Sequence, residues 1–216
     1  MPRVIWGVDS AMAVDATLYE CVENNFGKPE VWGRYLNTIE GVSVGLTRQE
    51  ISFLKEKGLK ILPVYNNFKE AIGSQAGRTA AQNAIYNANR LGIPEGVFIF
   101  ANVERFFQVD AAWIISWVKQ FQNSSYRPGF YNDPVEGPFN EAYCQAIQEN
   151  QLVRTQSVLW SAEPEPGVTT KTAYPAFKPK TPDCEANVWA WQYGRKASEC
   201  SIDTILVQRR LYTELY

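Results

Sequence analysis

A chain of 216 residues with 45% hydrophobic content is long enough for one domain with a sizeable core. Its net charge of −2, without a polybasic run, argues against partners such as nucleic acid or an anionic membrane surface, and no apolar stretch is long enough to span a bilayer. The absence of histidine removes Ser-His-Asp and Cys-His catalysis and the His-containing zinc sites, so acid–base work falls to carboxylates, assisted by Tyr, Lys or Arg.

Short apolar runs alternate with helical patterns along the chain. The opening, Met-Pro-Arg-Val-Ile-Trp-Gly-Val-Asp9, lacks the apolar core of a signal peptide and reads directly as a strand over Val4–Val8. The expectation is a cytoplasmic chain, or one exported after loss of its signal or by another route. A helix is predicted over Ala16–Asn24 and a strand over Val31–Tyr35. Thr47 with Glu50 three residues on has the form of a capping box, starting a helix whose apolar residues are Ile51, Phe53 and Leu54 and which stops at Gly58. Lys60–Tyr65 is the next strand, and Ser74–Leu91 a long alanine-rich helix closed by Gly92 and Pro94. Val97–Val103 is a strand with an unbroken apolar start, as in strands buried on both faces. The following helix, Asp110–Phe121, carries Trp113 and Trp117 one turn apart, a spacing that suits packing on a sheet. Pro128–Tyr131, a helix over Pro134–Asn150, and Ser157–Ser161 come next. Glu163–Pro182 is proline-rich and is predicted to be a loop standing in for a helix, before strands at Val188–Gln192 and Ile202–Val207.

Eight strands separated mostly by helices predict an α/β fold: a compact (β/α)8 TIM-type barrel with helices degraded in the last third, forming one domain over residues 1–216. A doubly wound open sheet is the alternative, because such barrels usually run longer, to about 250 residues. No internal repeat or linker is visible.

In a barrel, chemistry gathers at the carboxyl ends of the strands. Asn102 and Glu104 end the central strand at i and i+2, so both point to one side of the sheet. The other strand ends offer Asp9, Tyr35, Tyr65 with Asn66, Tyr131 with Asn132, Glu163, and the run Trp191, Gln192, Tyr193. Asp203 falls near the start of its strand. Carboxylates that serve as acid and base, beside rings on which sugars stack, form a glycosidase-like constellation. The candidate catalytic residues are Glu104, Asp9, Asn102 and Asp203, and the candidate substrate-binding residues are Arg34, Tyr65, Tyr131, Glu163, Trp191 and Gln192. Cys21, Cys144, Cys184 and Cys200 have no C-x-x-C spacing and are expected to be small core residues, with a Cys184–Cys200 bridge as the alternative in an oxidising compartment. No metal cluster, phosphate loop or dinucleotide fingerprint is present, and no cofactor is expected.

The series Gly-Val-Asp9, Asn-Val-Glu104, Gly-Phe-Tyr131, Leu-Trp160-Ser-Ala and Trp191-Gln-Tyr193 resembles the family 25 glycoside hydrolases, lysozymes that cleave peptidoglycan. The first hundred residues are more similar to the glycoside-hydrolase-like family once called domain of unknown function 1906. That likeness lies in Gly-Arg-Tyr35, Gly-Leu-Thr-Arg-Gln-Glu50, Lys-Gly-Leu-Lys-Ile-Leu-Pro63 and the alanine-rich helix before Leu-Gly-Ile-Pro94. The resemblance implies a barrel and hydrolysis of the bond between N-acetylmuramic acid and N-acetylglucosamine, with peptidoglycan or a related amino-sugar glycan as partner. It matches Glu104 to the acid that protonates the leaving oxygen. Where those lysozymes carry Asp-x-Glu, this chain has Asn102, which cannot act as a base. An amide there can still orient the substrate's acetamido group, and a second carboxylate would have to come from Asp9 or Asp203. The alternative is a degenerate barrel that binds glycan without cutting it.

Overall fold

The computed structural model describes residues 4–216; Met1–Arg3, at the start of the segment read above for an export signal, lie outside them. In chain order the elements are β1 (Val4–Asp9), α1 (Ala16–Phe26), β2 (Val31–Tyr35), α2 (Arg48–Glu56), β3 (Lys60–Tyr65), α3 (Ser74–Leu91), β4 (Phe98–Asn102), α4 (Ala111–Phe121) and β5 (Arg127–Asn132). They continue with α5 (Phe139–Glu149), α6 (Leu152–Gln156), β6 (Val158–Ser161), β7 (Val188–Gly194), β8 (Asp203–Gln208) and α7 (Arg209–Tyr212). The strands close into a barrel in sequence order, which excludes the open sheet. The expected helix over Pro134–Asn150 starts later, at Phe139, and a separate short turn, α6, follows it.

One strand departs from the all-parallel pattern. β8 runs antiparallel to both β7 and β1, while the other neighbouring pairs are parallel. Antiparallel strands can be joined by a short turn, whereas parallel ones need a long crossover. Accordingly β7 passes to β8 through a hairpin over residues 195–202, with no helix. The start of β8 therefore lies at the same barrel end as the carboxyl ends of the other seven strands, and Asp203 stands opposite Asp9 in register.

Alternation along the strands sorts the core into two layers. Ile5, Val31, Leu62, Phe98, Phe100, Val158, Ile205 and Val207 pack together inside the barrel. Trp6, Val8, Trp32, Ile61, Tyr65, Ile99, Phe130, Leu159 and Leu206 face outward against the helices. On that outer layer Trp113 and Trp117 of α4 stack with ring centroids 5.5 Å apart, both fully buried, as sheet-packing residues. Helix α3 approaches α4 so closely at Gly77 that a Cβ there would lie 2.4 Å from the Trp113 carbonyl oxygen. Side-chain caps mark the helix starts: Asp15 accepts from the Leu18 amide, Thr47 from that of Glu50 and Asp110 from that of Trp113. The Thr47–Glu50 signature thus makes only half of its box, because the Glu50 carboxylate is engaged elsewhere.

The connection from β6 to β7 contains no helix, as its proline content predicts. The loop covers the outer face of β7 in a helix's place: Phe177 packs edge-on against Trp191, and the Thr169 and Tyr193 hydroxyls are 2.9 Å apart. The cysteines are not free core residues, nor is Cys184 bonded to Cys200. The bridges are Cys21–Cys200, tying α1 to the β7–β8 hairpin, and Cys144–Cys184, tying α5 to the β6–β7 loop. Each bridge fastens one of the two connections that lack a packed helix of their own.

Candidate active site

The inward-facing residues at the carboxyl ends of the strands enclose a pocket of ≈ 130 Å³, lined by Asp9, Gly33, Tyr35, Val64, Asn102, Glu104, Tyr131, Trp160, Gln192, Arg195 and Asp203. Its depth depends on Gly33. A Cβ at that position would sit 2.6 Å from the Asp9 Cβ and 3.1 Å from the Trp160 ring, so any side chain there would fill the floor.

Gln192 organises one wall. Its Nε2 donates to Asp9 Oδ2 at 3.0 Å and to Asp203 Oδ2 at 3.1 Å. Its Oε1 accepts from the Tyr131 hydroxyl at 2.8 Å and from Arg195 Nε at 3.0 Å. Both amide protons and both oxygen lone pairs are therefore used within the protein. Asp203 Oδ1 also accepts from the Lys196 amide at 2.6 Å, and Arg195 Nε pairs with Glu165. Burial, reinforced by the Asp203 charge, pushes the Asp9 carboxyl well above the usual carboxylate range, against the opposing pull of Gln192 and Arg195. Burial raises Asp203 as well, opposed by the Lys196 amide and Arg195. The Tyr35 and Tyr131 phenols are raised by burial first and then by the surrounding carboxylates, so both remain hydrogen-bond donors.

Across the pocket, Asn102 Nδ2 donates to Glu104 Oε1 at 2.9 Å. Asn102 is buried and Glu104 half-buried, so the amide fixes a carboxyl group that still meets solvent. Tyr131 and Trp160 meet edge to face, 5.1 Å between centroids, and supply an aromatic side to the pocket. Among the described residues no three His, Cys, Asp or Glu side chains are grouped as ligands for a metal ion. Among the described residues no helix is long and apolar enough to cross a membrane.

Of the residues selected from sequence, Asp9, Asn102, Glu104, Tyr131, Gln192 and Asp203 line this pocket, and four do not. Arg34 is fully buried on the outer face of β2, with Nε bonded to Glu50 Oε1 at 2.6 Å and its terminal nitrogens to the Ser10 and Val44 carbonyls. It ties the loops after β1 and β2 together and is out of reach of a substrate in the pocket. Tyr65 faces the helices, stacked on Trp117. Trp191 is 2% exposed, its indole donating to the Pro164 carbonyl, and it has no free face for a sugar. Glu163 begins the β6–β7 loop outside the lining, its carboxyl raised by burial and then by Asp133 and Glu165. Gln192 lines the pocket with its amide hydrogen-bonded to Asp9, Asp203, Tyr131 and Arg195.

Gly33, Val64, Trp160 and Arg195 also line the pocket without being candidates from sequence, and Tyr35 is legible there only as a strand end. Strand parity marks most of them. Once Asp9, Asn102 and Tyr131 are taken as inward, Gly33 and Tyr35 share one face of their strand and Arg34 the other. Arg195 follows no such signal, because it lies beyond β7 in the hairpin.

A family model described as Rv2525c-like, glycoside hydrolase-like domain matches residues 30–182. A comparison with curated proteins found no match. The structure is similar to the 1.07 Å crystal structure of an uncharacterized B. stearothermophilus protein, at 51% identity and a TM-score of 0.97, covering 98% of this chain and 100% of that one. It shares its fold with a family GH25 lysozyme from Aspergillus fumigatus, at 13% identity and a TM-score of 0.61, covering 98% and 99% of the two chains. It shares it also with the modular autolysin LytC from Streptococcus pneumoniae, solved in complex with a synthetic peptidoglycan ligand, at 10% identity and a TM-score of 0.55, covering 94% of this chain and 46% of that one. With the family model spanning most of its length, the chain belongs to the Rv2525c-like glycoside hydrolase-like domain family.

Proposed function

We propose that this chain is a glycoside hydrolase acting on peptidoglycan or a related amino-sugar polymer, with Glu104 as general acid. The observation that carries the reading is the pairing of Asn102 with Glu104 across one pocket from the Asp9–Gln192–Asp203 group. Glu104 gives its proton to the glycosidic oxygen as the bond to the anomeric carbon breaks. Positive charge then develops at that carbon, beside the Asp9 and Asp203 carboxyls. With an amide at 102, the substrate's own acetamido oxygen attacks the anomeric carbon, while Asn102 Oδ1 accepts from the acetamido N–H. Water then opens the resulting ring and gives its proton back to Glu104.

Asn102 itself favours a second reading, a barrel that binds the glycan without cutting it, because the two-carboxylate mechanism of glycosidases ordinarily needs an acid at both positions. Incubation of purified peptidoglycan with the protein separates the two. The hydrolase reading expects new reducing ends from the wild type and none from Glu104→Gln, with an unchanged melting temperature. Binding of chitooligosaccharides without any new reducing end would select the second reading. Neither cleavage nor binding would defeat both.

A further inference from the structure

The pocket shares lining residues with two further cavities, which meet each other on the β7–β8 hairpin. A cavity of ≈ 310 Å³ adjoins the pocket at Asp9 and Asp203, and one of ≈ 510 Å³ adjoins it at Arg195. Lys196 and Ala197 line both of these outer cavities. The charges along this path are not uniform. The pocket itself holds the carboxyls of Asp9, Glu104 and Asp203 against one cation, Arg195, and so disfavours an acidic substituent away from Arg195. The ≈ 510 Å³ cavity brings Arg195 and Lys196 together against one carboxylate, Glu199, with Asn25, Thr169 and Thr170 as neutral polar neighbours.

Arg195 is held firmly and incompletely used. Its Nε donates to Gln192 Oε1 and its charge is paired with Glu165, whereas its two terminal nitrogens make no hydrogen bond among the described residues. A guanidinium fixed at Nε presents its remaining N–H groups as a fork, the geometry that matches a carboxylate. The backbone beside it is also constrained. Lys196 is the one non-glycine residue with positive φ among the described residues, at 56°, and its amide is held by Asp203. A left-handed residue of this kind is costly and persists where its surroundings enforce it. The Cys21–Cys200 bridge anchors the far side of the same hairpin.

We infer that the β7–β8 hairpin forms a subsite for a carboxylate carried by the substrate, with Arg195 as its main ligand and Lys196 beside it. The inference rests on the glycan reading proposed above and narrows it to acidic amino-sugar polymers. The sugar being cleaved occupies the carboxylate-lined pocket, and its acidic substituent is directed out over the hairpin. In a muramic-acid polymer that carboxylate has two sources, the lactyl ether itself or a peptide attached to it.

The test is binding by calorimetry on a Glu104→Gln background, which prevents turnover, with three tetrasaccharides. One is chitotetraose, which is uncharged. The second alternates N-acetylglucosamine with N-acetylmuramic acid bearing free lactyl carboxylates. The third has those carboxylates capped by a dipeptide that carries its own. The expected result is about tenfold tighter binding of an acidic ligand than of chitotetraose, lost in Arg195→Gln, partly kept in Arg195→Lys and weakened by salt. Whichever acidic ligand binds tighter identifies the source of the carboxylate. Equal binding of all three, or an acidic preference that survives Arg195→Gln, overturns the subsite and leaves the hydrolase reading standing if the wild type still releases reducing ends. No binding of any of them, with no reducing ends from the wild type, overturns both. Should Arg195→Gln fold poorly, methyl esterification of the lactyl carboxylates tests the same point on protein unaltered at Arg195: the esterified ligand is expected to bind no better than chitotetraose, and an undiminished preference overturns the subsite.

Discussion

Asn102 and Asp9 divide the questions that single residues can answer. If Asn102 orients the acetamido group, Asn102→Ala should lower the cleavage rate by about 10²-fold or more, while Asn102→Asp keeps or improves it, as read by reducing-end release. Loss of activity in Asn102→Asp would contradict that role. Asp9 makes a prediction about stability. Its buried carboxyl holds a proton more tightly in the folded chain than in the unfolded one, where the value is about 3.9. The burial penalty is therefore absent below about pH 4, where both states are protonated, and grows as the pH rises above the unfolded value. Asp9→Asn should raise the melting temperature at pH 7 and leave it nearly unchanged at pH 3.5. A stabilisation larger at low pH would contradict this sign. Arg34 differs in kind. Removing it strands the buried Glu50 carboxylate and the Ser10 and Val44 carbonyls, so Arg34→Met should cost about 3–5 kcal/mol in denaturant unfolding while the folded fraction keeps its KM. A raised KM with unchanged stability would return Arg34 to the binding site.

At the scale of elements, what the sequence conveyed and what it hid have physical reasons. Caps, glycine stops and apolar periodicity are local signals, and they located α1 to α4 and β1 to β6 to within a few residues. The direction of β8 is not local. Nothing in Asp-Thr-Ile-Leu-Val-Gln208 distinguishes a parallel from an antiparallel strand, so Asp203 looked misplaced at a strand start when that start in fact faces the pocket. Trp191 and Tyr65 look like sugar platforms from sequence because the parity of a strand is set by its neighbours, and the structure buries both. Cysteine pairing was equally invisible, since it depends on which loops meet. The two bridges now carry a prediction of their own. Each closes a long loop, 179 residues for Cys21–Cys200 and 40 for Cys144–Cys184, and should stabilise the fold by about 3–5 kcal/mol. The Cys21→Ala/Cys200→Ala pair should also reduce glycan binding, because its hairpin carries Arg195 and the start of β8. The Cys144→Ala/Cys184→Ala pair should affect melting more than binding. Equal effects on binding would deny the hairpin its special place.

The whole molecule is a barrel in which two of the usual crossover helices have been replaced. Closing the sheet with one antiparallel strand brings Asp203 to Asp9, and the loop over β7 supplies the cover that a helix would otherwise give to Trp191 and Tyr193. The same rearrangement brings Arg195 of the hairpin to the edge of the pocket. The proposed reaction uses water to cut an amino-sugar glycan in the pocket between Glu104 and the Asp9–Asp203 pair. It is tested most directly by incubating purified peptidoglycan with the protein in ¹⁸O-labelled water and analysing the fragments by mass spectrometry. New reducing ends carrying one ¹⁸O atom are expected from the wild type, and none above background from Glu104→Gln. Fragments that appear equally with Glu104→Gln, or intact glycan after prolonged incubation with the wild type, would contradict it.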